Sequence, residues 1–537
     1  MRRVVESDVC IIGSGISAAM IAEKLRDERN VSVTVVEAGA EQPGPQAWPG
    51  LRKRFLDYGE SPWPKDHIDG LTADGMQSRS MCVGGLAMHW GGVTPRFSPE
   101  DFKTRSLCGV GADWPLSYED LDRHYQEAEE RMGVAGEQGP ADLDPRAKPF
   151  PLPMIPLSYN LQQLKSWTDA AGIPTWSQPS AKLTRARGSR GACCRNDTCF
   201  PICPVGAKYS PDMTWRALRA FSNFALHPLT MVRRLRLAAN GSRVEAAEAV
   251  RRDGSNQTIE YRARTFVLAA GYMWSPYLLL LSATSRFPSG LANRSGLVGK
   301  YLCGHRNVSA FIELPLSLYP GINEQHSLLS KVFMRRPRGD RYIRNDLRVW
   351  ESSVGREARL TDDSGRLLLG DEILADWRSR TQKSTARVRS YYDVLPDQES
   401  ALTLDRARRS PFGDPMPVLT WRDDPVSRDL RGPTEEHLRT QFTNLARAGN
   451  GRVLRTAVDS FQDHPAGGCR MGDDPSRSVV NSWGRAHDHD NLFVVGAPTM
   501  VSASCANGTL TMCALSLRAA EEIGREFPRR ARRADEE

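Results

Sequence analysis

The chain has 537 residues, a formal net charge of +8, 40% hydrophobic residues and 25% charged ones. It can bury a large core, two domains are the natural expectation, and the composition excludes a disordered, collagenous or membrane-embedded chain. The basic clusters at Arg233-Arg234, 406–409 and 529–533 are short and lack interleaved aromatics, so a solvated basic surface is expected and no nucleic-acid partner.

Met1-Arg2-Arg3 runs straight into the first expected sheet strand, so no removable leader is expected, and the sequence holds no run of 18 apolar residues. A soluble, non-integral protein is expected, either cytoplasmic or carried to the periplasm or membrane by an exported partner. Val9-Cys10-Ile11-Ile12 reads as a central parallel strand, followed by Gly13-Ser14-Gly15-Ile16-Ser17-Ala18, which fits G-x-G-x-x-A. Gly13 permits the tight turn, Gly15 lets a pyrophosphate approach the backbone, and Ala18 lets the helix pack close. The helix from Ser17 offers free N–H groups to phosphates. Val33-Thr34-Val35-Val36 is the next strand, with Glu37 at its tip as a ribose acceptor; an acid there, about 20 residues on, makes the fingerprint specific for a dinucleotide.

Residues 41–80, rich in Pro, Gly, Trp and Asp, read as a structured excursion. Two double glycines, Gly84-Gly85 and Gly91-Gly92, frame His89-Trp90 and suggest backbone held close to a flat ligand. Ser117 is the expected N-cap of a helix running to about Met132. Strands are expected at 230–238, 243–250, 257–263 and 265–271, the last ending at Gly271, then a helix over 272–282. Leu492-Phe493-Val494-Val495-Gly496 is a last parallel strand, and 508–527 a terminal helix. Both ends of the chain therefore return to one sheet. The expected division is 1–132, 221–305 and 456–537 for a discontinuous nucleotide domain, 133–220 for a crossing segment, and 306–455 for an antiparallel, substrate-facing domain.

Two features carry chemistry. His464, in the turn-rich Asp463-His464-Pro465-Ala466-Gly467-Gly468, can take an alcohol proton while the carbon gives up hydride; Asn507 can hold the substrate oxygen. A turn histidine bonded only to backbone is the plainer alternative. Cys193, Cys194, Cys199 and Cys203 fall within eleven residues and end at Cys203-Pro204. That density suits an iron–sulfur cluster, a structural zinc, or thiols left free or paired.

In the order of its motifs the chain resembles the glucose-methanol-choline family of FAD oxidoreductases: the nucleotide unit, GGLAMHWGG, RARTFVLAAGYMWSP, GLVGKYLCGH, HPAGGCRMG and NLFVVGAPTMVSASCANGTLTMCALSLR. The resemblance implies an α/β plus α+β fold, a discontinuous Rossmann-like FAD-binding domain with an antiparallel-sheet substrate domain. It implies FAD, with Glu37 on the adenosine ribose, Gly13 and Gly15 at the pyrophosphate, Val232 near the adenine, and Gly496 and Ala497 near the pyrophosphate or ribityl. Ala18, Gly85 and Gly271 join the cofactor-binding set. His89 matches the position at which pyranose 2-oxidases attach FAD covalently, and relatives that keep a His-Trp without such a bond make a packing role the alternative. His464 falls on the family's base and Asn507 on its companion, with hydride passing to the flavin.

The cysteine stretch resembles that of iron–sulfur-containing large subunits of bacterial sugar dehydrogenases, FAD glucose dehydrogenase and glucoside 3-dehydrogenase among them. This implies a [3Fe–4S] cluster, with Cys193 and Cys194 competing to be the spectator, and electrons leaving to a cytochrome or another carrier. It also implies a small companion subunit. The leading expectation is thus dehydrogenation of a sugar or glycoside hydroxyl. Its rivals are an oxygen-using pyranose or glycoside oxidase, a tailoring oxidase for natural-product sugars, and a non-catalytic flavin and iron–sulfur module, which has no need of His464 and Asn507.

Overall fold

The computed structural model describes residues 3–64, 80–318, 326–335, 342–351, 359–362, 364–381, 384–459 and 463–529. Residues 65–79 of the expected excursion and the end of the 529–533 basic cluster lie outside the described residues.

The expected architecture is present. Strand Arg3–Ile12 pairs in parallel with Val33–Val36 on one side and with Thr258–Leu268 on the other. Phe224–His227 extends the first edge, and Leu492–Val494 returns from near the far end of the chain to pair with Thr258–Leu268. Val9, Cys10 and Ile11 are fully buried because both faces are covered. Val9 and Ile11 pack with Ala18, Ala22, Ala519 and Ala520 of the flanking helices, while Cys10 and Ile12 pack toward Phe266 and Leu279. Ser117 caps helix Tyr118–Met132 through a reciprocal box with Asp120.

Two strands expected at 257–263 and 265–271 form one, Thr258–Leu268. Its first half pairs antiparallel with Val244–Arg251 and its second half in parallel with Leu492–Val494, so its surroundings change midway while the strand continues.

The second sheet is antiparallel, in the order Arg452–Val458, Cys303–Leu314, Ser384–Asp393, Leu347–Glu351, Leu328–Ser330 and Trp176–Ser177. One face carries Val308, Ala310, Ile312, Val349, Ala386 and Val388, buried against helix Pro425–Ala448 and its neighbours. That 24-residue helix is absent from the strand-and-loop pattern expected over 306–455. Pro433 lies inside it, at a propensity cost of about 3 kcal/mol. The buried stripe Thr434, Leu438, Phe442 and Leu445, at helical spacing, outweighs that cost. The other face of the sheet looks toward the nucleotide domain. Short segment Asp463–Ala466 pairs with the start of Cys303–Leu314 and so delivers His464 beside His305. Among the described residues no helix is long and apolar enough to cross a membrane.

Candidate active site

A cavity of about 840 Å³ runs from the glycine turn of the first sheet to the inner face of the second. Its nucleotide end is a cradle. Gly13 sits at φ +98°, where a Cβ would meet the Ala269 carbonyl oxygen at 2.7 Å. Gly15 has ordinary extended dihedrals, and a Cβ there would have no heavy atom within 4 Å, so the space above it is open. No side chain caps the helix Ile16–Glu28, and its first N–H groups are left for a ligand. The donor set and this opening fit the pyrophosphate of FAD.

Gly13, Gly15, Glu37, Gly85, His89, Val232, Gly271 and Ala497 all line the cavity. Ala18 instead packs, fully buried, in the helix–sheet core. Gly496, at φ +81°, stands behind Ala497 rather than on the wall. Glu37 accepts from Ser14 N and Oγ at 3.0 and 2.7 Å and from Gly39 N at 2.7 Å. Burial raises its pKa and these bonds hold it down. One lone pair on Oε1 is left for a ribose hydroxyl.

Replacing Gly15 by Val is expected to remove FAD without unfolding the protein. The new side chain would occupy the open space while the backbone stays in a region any residue adopts. The check is the flavin-to-protein absorbance ratio beside the apoprotein melting temperature. Full FAD content in the variant would show that the cradle is not the pyrophosphate site.

His89 is half-buried, and its Nε2 is buried without a hydrogen-bond partner among the described residues. Burial and then the nearby Lys208 charge push its pKa down to about 4, so the ring is neutral at ordinary pH. An orphaned, neutral ring nitrogen on the cavity wall fits a ligand that donates to it or packs on it. The surrounding loop is fixed by Lys208, whose buried ammonium donates to the carbonyls of Met88, Trp90, Cys199 and Pro201 at 2.8–3.1 Å. Burial lowers the lysine pKa to about 8, and the four carbonyls favour its charged form.

The cluster expected for Cys193, Cys194, Cys199 and Cys203 is not supported. Among the described residues no three His, Cys, Asp or Glu side chains come together so as to hold a metal ion. Cys193 packs beside Ala135, Leu152 and Leu183, Cys194 is exposed, Cys199 and Cys203 are buried, and all four thiols are free. Lys208 joins the backbone of this loop to the His89 segment, so carbonyls rather than thiolates organise it. The [3Fe–4S] cluster, the zinc alternative and the exit of electrons through a cluster are withdrawn.

At the other end of the cavity, His464 and Asn507 meet. Asn507 Nδ2 lies 2.8 Å from His464 Nε2, and His464 Nδ1 lies 2.8 Å from His305 Nε2. His305 Nδ1 lies 2.9 Å from the Ser504 carbonyl. On its far side the Asn507 Oδ1 accepts from Arg348, whose Nε donates to Asp346 at 2.7 Å. Burial raises the Asp346 pKa, opposed by Arg348 and by the Tyr391 N–H.

These contacts fix the hydrogens. Arg348 can only donate, so Asn507 presents its oxygen to Arg348 and its NH₂ to His464. His464 Nε2 is therefore the nitrogen without hydrogen, and Nδ1–H donates to His305 Nε2, while His305 Nδ1–H donates to the Ser504 carbonyl. His464 is held at φ +50°, rare for a residue with a side chain, and the Tyr391 and His464 ring centres lie 5.6 Å apart with the two rings nearly perpendicular.

His305 lies in a motif already noted in the sequence, yet its chemistry is not legible there. Arg348 and Asp346 have no sequence signal beyond an alternation of polar and apolar positions, which reads equally well as a solvent-facing strand, and Lys208 lies in a loop just after the cysteine stretch with nothing to mark it.

Residues 179–307 and 396–516 match the GMC oxidoreductase family. The chain is 30% identical to the fructose dehydrogenase large subunit of Gluconobacter japonicus, over 96% of this chain and 97% of that protein. It is 30% identical to paromamine 6'-oxidase of Streptomyces fradiae, over 96% of this chain and 91% of that protein. Its fold matches the crystal structure of pyridoxine 4-oxidase from Mesorbium loti at a TM-score of 0.60 and 20% identity, over 96% and 98% of the two chains.

Proposed function

The chain belongs to the glucose-methanol-choline (GMC) oxidoreductase family and is an FAD-dependent oxidoreductase acting on a CH–OH group, and on that premise we propose that it oxidises a hydroxyl of a sugar or glycoside, with His464 as the base. The hydrogen-bonded line from Ser504 through His305, His464 and Asn507 to Arg348 carries this reading, because it leaves a proton acceptor bare at the cavity. The likeness to a fructose dehydrogenase large subunit supports the sugar as substrate class.

A substrate alcohol enters between His464 and Asn507. Its O–H donates to His464 Nε2, while its oxygen accepts from the Asn507 NH₂, which Arg348 keeps turned the right way. As the carbonyl forms, the hydroxyl proton goes to His464 Nε2 and the carbon loses a hydride. FAD, when bound, supplies the acceptor for that hydride. The imidazolium is held by its Nδ1–H bond to His305, whose own Nδ1–H rests on the Ser504 carbonyl.

The test is anaerobic mixing of the holoprotein with a panel of sugars and glycosides, followed by flavin absorbance. At least one is expected to bleach the flavin. A panel in which only simple aliphatic alcohols do so would end the sugar reading. Readmitting oxygen then separates an oxidase, which recovers its colour at once, from an enzyme that needs another acceptor.

A further inference from the structure

Four arginines line the cavity: Arg233, Arg348, Arg387 and Arg389. Two are neutralised, Arg233 by Asp414 at 2.6 and 2.8 Å and Arg348 by Asp346. Arg387 and Arg389 have no such partner: among the described residues neither guanidinium forms an ion pair or hydrogen bond, and the Arg389 Nε is buried and unbonded. Both come from strand Ser384–Asp393, two residues apart and so on one face. Arg389 stands opposite Arg348 in the neighbouring strand, and Arg387 opposite Trp350.

Aromatic rings hold them in place. The Arg389 guanidinium lies 4.3 Å from the Tyr391 ring centre and 4.9 Å from that of Trp350, and Arg387 lies 5.8 Å from Trp350. Tyr391 in turn abuts His464, so the arginines begin one ring away from the base. No nearby carboxylate bonds either guanidinium among the described residues: Glu351, which also lines the cavity, accepts from the Ser158 hydroxyl, and Asp459, which accepts from Asn307 at 2.6 Å, reaches Arg387 only through its charge. Arg455 adds a further positive charge behind Phe311. Burial, and then repulsion from Arg389, lower the Arg387 pKa, and the charge of Asp459 offsets this only in part.

A wall built only to bind a neutral polyol needs hydroxyl and amide groups, not two adjacent unpaired guanidiniums. We propose that Arg387 and Arg389 form an anion subsite, so that the sugar oxidised here carries a carboxylate or a phosphate, held by the two guanidiniums while its reacting hydroxyl lies at His464. This rests on the sugar reading above for the hydroxyl, and on the arginine pair alone for the anion. Planar bidentate donors suit both anions.

The probes are D-glucuronate, D-glucose 6-phosphate, D-glucose and the cationic D-glucosamine. Each is titrated into oxidised His464→Ala holoprotein, in which turnover is suppressed, and binding is read from the flavin difference spectrum. At least one anionic probe is expected to bind about 10-fold or more tightly than glucose, with glucosamine weaker than glucose. In the added Arg387→Gln/Arg389→Gln background the anion preference is expected to fall to about one, with glucose affinity changed less than threefold. If that background loses its FAD, the single Arg387→Gln and Arg389→Gln substitutions supply the same ratio.

Preference for glucuronate alone assigns the subsite to a carboxylate, and for glucose 6-phosphate alone to a phosphate. Equal affinity for glucose and both anions, no binding by any probe, or a preference that survives loss of the arginines, overturns the proposal. Failure of the sugar reading is seen separately, in wild-type protein whose flavin no sugar bleaches even though the anions bind through Arg389.

Discussion

The His464→Ala variant is expected to reduce its flavin about 10²–10⁴-fold more slowly than wild type at saturating substrate, the usual worth of a positioned general base. It should keep its FAD, because His464 lies at the end of the cavity away from the glycine cradle. A substrate bound in the variant still has the Asn507 NH₂ for its oxygen but has no nitrogen to receive its proton. The substitution also strips partners from His305 Nε2 and Asn507 Nδ2, both otherwise bonded to His464 at 2.8 Å. Unsatisfied buried groups of this kind cost about 1–3 kcal/mol, so a modest fall in melting temperature accompanies the lost rate. The decisive measurement is stopped-flow reduction under anaerobic conditions, with FAD content checked by absorbance. A reduction rate within threefold of wild type would remove His464 from the chemistry.

That His464 and Asn507 draw attention in the sequence at all is a matter of local signal. His464 sits in a glycine-rich turn segment and Asn507 just before the last helix, both outside any amphipathic pattern that would give them a packing role. The first sheet is legible for a related reason: Val9-Cys10-Ile11-Ile12 and Val33-Thr34-Val35-Val36 are apolar throughout, as strands buried on both faces must be, and the turn between strand and helix has a fixed glycine spacing. What supports His464 is encoded differently. His305 and Arg348 stand 159 residues from His464 and from Asn507, respectively, and only strand pairing brings each to its partner. Alternation on Leu347–Glu351 and Ser384–Asp393 tells which residues share a face, but not that the polar face closes on a cavity instead of on water.

The cysteine stretch errs the other way. Its spacing is a strong local signal, yet the placing of thiols is a tertiary property, and among the described residues no three such side chains come together so as to hold a metal ion. Helix Pro425–Ala448 likewise contains a residue that normally ends helices, and it persists because its stripe packs on the sheet.

Arg348→Met is expected to be the most damaging change outside the reacting pair, in two separable ways. Arg348 and Asp346 are both buried almost completely, and removing one partner of such a pair costs about 3–5 kcal/mol because the other charge is stranded. Neutralising the stranded partner in Asp346→Asn/Arg348→Met should restore much of that stability. It should not restore the rate. Asn507 Oδ1 has then lost the donor that faces it, and nothing obliges the amide to present its NH₂ to His464.

With the amide turned end for end, its oxygen faces Nε2 and is satisfied only by an imidazole carrying hydrogen there. That imidazole has no lone pair left for the alcohol proton. Flavin reduction in the double variant is therefore expected to stay about 10–100-fold below wild type, short of the full loss attributed to removing an acid–base group, while melting recovers toward the parent. Arg348→Lys, which returns one donor to Asn507 but lacks the second branch that binds Asp346, should fall between the two. A double variant with wild-type melting and wild-type reduction would mean that Arg348 serves the fold alone, and that the His464 proton acceptor is set by His305 without help from the second sheet.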